Sequence, residues 1–85
     1  MPEISRFYGI VITMVYSENN PPQFHVEYME YRALINIENG TFTGSLPRRA
    51  LNFVYDWLDL HQEELMENWY RMQRGEDFLK IEPLV

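Results

Sequence analysis

His25 and Glu27 are the side chains in this sequence best placed for chemistry, an imidazole and a carboxylate two residues apart behind the rigid doublet Pro21-Pro22. In a strand, residues i and i+2 share a face, so the pair would stand side by side, opposite Phe24, Val26 and Tyr28. Such a pair can act as general acid and base, with Arg6 as a third candidate, and His25 is a weak candidate metal ligand. One His and one Glu do not make a catalytic signature, and no nucleotide, phosphate or metal motif accompanies them. The plainer reading makes His25 a half-exposed strand residue and Glu27 the cross-strand partner of Arg32, a contact worth about 0.2 to 1 kcal/mol.

Other reactive types have plain explanations too. His61 falls on an apolar helical stripe, where a hydrogen-bonded imidazole or a cap at a helix break is the simpler role. Asp56, Asp59, Glu63, Glu64 and Glu67 read as a solvated helical face, and Tyr8, Tyr16, Tyr28, Tyr31, Trp57 and Trp69 read as core rather than as a ligand box. The chain has no cysteine, which removes disulfides, thiol catalysis and thiolate zinc sites. Its net charge is -6, with only seven basic residues and Arg48-Arg49 as the sole basic doublet, so no direct nucleic-acid binding is expected.

At 85 residues the chain is expected to form a single domain over 1–85, with a core covering about 60% of the unfolded chain's surface. No apolar run reaches membrane-spanning length and no basic, cleavable leader opens the sequence, so a cytoplasmic location is expected, with no membrane contact and no cofactor.

The elements that must position these residues read as sheet over 7–44, helix over 45–75 and a tail over 76–85. Phe7 to Tyr16 is rich in β-branched and aromatic residues and stops at the turn formers Ser17 to Pro22. Gln23 to Glu30 and Tyr31 to Glu38 alternate. A turn at Met29-Glu30 sets Tyr28 against Tyr31, Glu27 against Arg32, Val26 against Ala33, His25 against Leu34 and Phe24 against Ile35. Neither Met29 nor Glu30 favours positive φ, so a bulged or longer turn is the alternative there. Asn39-Gly40 is a type I′ hairpin signal, which would pair Ile37 with Phe42 and Asn36 with Thr43.

Ser45 is a candidate helix cap and Pro47 suits the first turn, after which apolar residues recur at helical spacing to Met72. A straight helix from Pro47 to Arg74 would be about 42 Å long, too long for so small a domain, so a kink or a short turn is expected near Asp59 to Gln62. The predicted fold is α+β, an antiparallel sheet of about four strands with two C-terminal helical segments on one face. On the other face, Phe7, Val11, Val15 and Leu34 would form an uncovered apolar band, the mark of an interface.

In order along the chain, Pro2-Glu3-Ile4-Ser5-Arg6-Phe7, Gly9-Ile10, Asn20-Pro21-Pro22, Phe24-His25, Glu27-Tyr28, Gly44-Ser45-Leu46-Pro47, Trp57, Leu60-His61, Glu64-Leu65, Asn68-Trp69 and Lys80-Ile81-Glu82-Pro83-Leu84 resemble the bacterial domain-of-unknown-function family DUF4160. The family has no established activity; the resemblance implies a fold, a bacterial cytosolic setting and an association with toxin–antitoxin-like gene pairs. The family pattern has histidine at the positions of Asn19 and Gln23, and two glycines at those of Met29 and Glu30. Loss of those histidines leaves His25 alone and predicts weak or absent metal binding. The function expected is therefore that of a non-enzymatic interaction protein, a homodimer or one member of a toxin–antitoxin-like two-gene module. The alternative is a small enzyme or metal-binding protein using His25, Glu27 and Arg6.

Overall fold

The computed structural model describes residues 3–84; Pro2 and Val85, named above in the resemblance and the tail, lie outside them. Five strands form one antiparallel meander: β1 Glu3–Phe7, β2 Ile10–Thr13, β3 Gln23–Tyr28, β4 Tyr31–Asn36 and β5 Phe42–Gly44. One helix, α1 Arg48–Gln73, covers one face.

The predicted strand from Phe7 to Tyr16 is corrected first. Tyr8 and Gly9 both take positive φ (51° and 79°), the requirement of a tight primed turn, and the chain folds back there so that Phe7 pairs with Ile10. A fifth strand results. A bulge between Glu3 and Ser5 lets successive residues Ile4 and Ser5 both be buried.

The β3–β4 register is as predicted in all five pairs, from Tyr28 with Tyr31 to Phe24 with Ile35. Met29 has φ 54° and Glu30 is not in the positive region, so the turn keeps two residues and places its one unfavourable conformation on Met29. The β4–β5 register is corrected. Phe42 pairs with Ile35 and Thr43 with Leu34, two residues from the expected pairs, because Asn36 organises a longer loop. Its Oδ1 accepts from the amides of Glu38 and Asn39, and its carbonyl accepts from the Gly40 amide. This Asx-turn competes successfully with the Asn39-Gly40 hairpin.

The expected cap is corrected too: Pro47 occupies the N-cap position, and no side chain caps the helix. The kink expected near Asp59 to Gln62 lies at His61, whose φ of -125° and ψ of 19° leave the helical region, and the two expected segments run on across it as one helix. A straight 26-residue helix would run about 39 Å. The longest dimension of the fold is 34 Å, and the kink lets the apolar stripe follow the sheet. His61 Nδ1 lies 2.6 Å from Glu64 Oε1, and Gln62 Nε2 donates to the Ile37 carbonyl at 2.8 Å, tying the kink to the β4–β5 loop. Trp57, Val54 and Leu65 then pack against Phe24, Ile35, Ile10 and Ile12 in one core.

Over its described residues, Glu76 to Leu84, the tail forms no strand and lies against the sheet and helix. Asn68, 1% exposed, donates to the Leu79 carbonyl at 2.8 Å and accepts from its amide at 2.7 Å. Beyond it the Ile81 amide donates to the Ile4 carbonyl, and Ile81 is buried. One side-chain amide thus stands in for a strand neighbour. Asn68→Ala is expected to cost about 2 kcal/mol, from two lost hydrogen bonds of about 1 kcal/mol each. Hydrogen exchange should show the Ile81 amide exchanging faster while the Val26 and Ile35 amides change least.

Candidate functional site

The register assigns the face of the sheet turned away from α1. One lateral row is Arg6, Val11, Glu27 and Arg32; the next is Glu3, Thr13, His25, Leu34 and Thr43. His25 and Glu27 are therefore neighbours on this outward face, as β3 alternation requires. Arg6 does not join them. Val11 separates it from Glu27 across two strand spacings, about 9.6 Å, and its guanidinium is bound to Glu3 at 2.7 Å.

Two Arg–Glu pairs thus divide the charges of this face, Arg6 with Glu3 and Arg32 with Glu27 at 2.5 Å. The hydrogen bond from Arg6 holds the Glu3 carboxyl below its ordinary range and raises Arg6 in turn. His25 is half-buried. Its burial lowers the imidazole below its ordinary value of 6.5, with Glu27 pulling the other way, so His25 is neutral at neutral pH. The Glu27 carboxylate is engaged by Arg32 rather than by the imidazole. Among the described residues no three His, Asp or Glu side chains converge as a metal site.

His25, Glu27, Arg32, Leu34 and Thr43 border a shallow depression of about 330 Å³. Val11 and Leu34 are half-buried beside it, and Val15, past the end of β2, is 42% exposed. Phe7 is the correction to the expected band. The Tyr8-Gly9 reversal returns it to the inward face, where it is 5% exposed and its ring centroid lies 5.4 Å from that of Trp57.

Thr13 was missed by the sequence reading. Its hydroxyl is buried without a hydrogen-bond partner among the described residues, directly across from His25. The alternation that turns Ile12 inward carried the signal, since it turns Thr13 outward with Val11.

A five-stranded meander under one kinked helix, its outward face of paired charges and small apolar patches uncovered by any helix among the described residues, defines a small α+β domain. Residues 9–70 match the family model described as Domain of unknown function (DUF4160), and the chain belongs to that family. The carrier blocks Pro2 to Phe7 and Lys80 to Leu84 fall outside the matched stretch. No curated protein and no solved structure matches the chain. Among the described residues no helix is long and apolar enough to cross a membrane.

Proposed function

We propose that this protein is a non-enzymatic interaction module whose open sheet face binds a second copy of the same chain. The observation that carries this reading is the charge balance of that face. Its strand residues Glu3, Arg6, Glu27 and Arg32 sum to zero, whereas the whole chain carries -6. Two copies meet there with the least like-charge repulsion, and Val11, Leu34 and Val15 supply apolar contact. A two-fold axis over the sheet would bring this mixed set of Arg and Glu side chains against the same set on the second copy, as an isologous interface requires.

A finer reading rests on the family resemblance: a bacterial cytoplasmic protein that is one member of a two-gene module of toxin–antitoxin type, in which the neighbouring gene's product takes the same face. Light scattering on the purified protein, alone and with that product, tests both. The expected result is a dimer that Val11→Lys weakens at least about tenfold in dissociation constant, because an ammonium in the row loses its hydration on assembly. The variant monomer should keep its thermal midpoint. A wild type that stays monomeric at millimolar concentration overturns self-association, and failure to bind the neighbour overturns the module.

A further inference from the structure

At the end of the sheet where the β1–β2 and β3–β4 turns meet the start of α1, Tyr8, Ile10, Tyr28, Arg49, Ala50 and Phe53 line a cavity of about 500 Å³. That volume lies within the usual range of small-molecule sites, about 300 to 1,000 Å³. Three of its six lining residues are aromatic. Tyr8 and Phe53 have centroids 4.8 Å apart at an interplanar angle of 33°, and the Arg49 guanidinium carbon sits 6.0 Å from the Phe53 centroid.

Two local preferences are broken around this cavity. Tyr8 and Met29 are the non-glycine residues at positive φ among the described residues, a conformation that glycine takes without strain. Both sit at hairpin tips on this end of the sheet, and both hold large exposed side chains, Tyr8 at 55% and Met29 at 77%. The second exception is charge. The first turn of α1 holds Arg48 and Arg49 with no acid, although the helix dipole opposes cations there. Arg6, Arg32, Arg71 and Arg74 all have carboxylate partners, while Arg48 and Arg49 form no ion pair among the described residues. Arg49, with no carboxylate partner among the described residues, thus stands beside an aromatic cavity in a chain of charge -6, available to an anion.

We propose that this cavity binds a small planar aromatic carboxylate. The ring lies against Tyr8 and Phe53 with Tyr28 at the floor, and the carboxylate takes the two parallel N–H donors of Arg49. A single lining arginine matches a monoanion, and three aromatic lining residues favour a flat body over a branched one.

The test is an amide-resolved NMR titration of the full chain with 2-naphthoate and with the uncharged 2-naphthamide. The expected result is saturable shifts at Gly9, Tyr28, Arg49 and Ala50 for 2-naphthoate, with binding roughly tenfold weaker for the amide. Arg49→Gln, a change at an exposed position, should weaken 2-naphthoate by the same factor while the spectrum keeps its dispersion. Absence of saturable shifts at about 5 mM 2-naphthoate, shifts centred elsewhere, or equal binding of the amide or by Arg49→Gln overturns the proposal.

Discussion

Trp57→Ala is expected to destabilise the protein by about 3 to 5 kcal/mol, the cost of emptying a fully buried aromatic site. Trp57 is 0% exposed and stands at the centre of the core, with the Phe7 ring at 5.4 Å and the Phe24 ring edge-on at 5.8 Å. It also fixes the tail, since its indole N–H donates to the Glu82 carbonyl at 2.8 Å. Helix, first hairpin, central strand and tail therefore share one side chain. A domain's net stability is about 5 to 15 kcal/mol, so most of it would go. Each kcal/mol moves the thermal midpoint by about 4 to 8 °C at this size, and a fall of at least about 12 °C is expected. Trp57→Phe keeps much of the ring and loses the tail hydrogen bond, so about 1 to 2 kcal/mol is expected. A Trp57→Ala midpoint no lower than that of Tyr70→Ala, a change at a 47% exposed site, would mean that the helical stripe is not core.

The strength of that prediction comes from side-chain parity, which the sequence displays more reliably than register. Alternation from Gln23 to Glu38 identified Phe24, Val26 and Ile35 as inward, and all are at most 1% exposed. The β4–β5 pairing slipped by two residues, and a slip of two leaves every side chain on its own face. Phe42 therefore still stands on the inward side of the sheet, although it meets Ile35 rather than Ile37 and, on an edge strand, stays 40% exposed. What decided the register was Asn36, whose side chain gathers the Glu38 and Asn39 amides into a loop that propensity alone assigned to Asn39-Gly40.

The first hairpin was illegible for a different reason. Tyr8 is a good strand former, and its neighbours Phe7 and Ile10 share that preference, so the apolar run conceals the reversal. Only the Gly9 position hints at a turn. Missing it turned Phe7 outward by one residue's parity and lengthened the candidate interface by a side chain that is in fact core. The polar site fared better, because His25, Glu27, Arg32 and Leu34 all lie on the hairpin whose register was read from alternation. Arg6 could not be placed without β1. Asn68 is a buried amide serving a tail without periodicity, and nothing in spacing marks such a role.

Gly44→Ala is the substitution expected to damage the sheet most from the smallest change, a single methyl. A Cβ at this position would lie 2.5 Å from the Arg32 carbonyl oxygen and 2.9 Å from the Ala33 Cα, both backbone atoms of β4 that no rotamer change can move. The φ of 114° adds a conformation that L residues rarely adopt. To relieve both, β5 must leave β4. The Ala33–Gly44 pair and the hydrogen bond from the Ser45 amide to the Arg32 carbonyl would then be lost, and the start of α1 would move with them. Strain and overpacking each cost about 1 to 3 kcal/mol, so a total of at least about 3 kcal/mol is expected. Gly75 supplies the comparison, because its φ of 77° is also unfavourable to alanine but nothing stands within 4 Å of the added carbon. Gly75→Ala should cost only about 1 to 2 kcal/mol, the conformational part alone. Denaturant midpoints of the two variants separate the contributions. In Gly44→Ala the Ser45 amide should also lose protection from hydrogen exchange. Equal costs for the two variants, with the Ser45 amide still protected, would show that β5 does not lie against β4 as closely as the Gly44 contacts require.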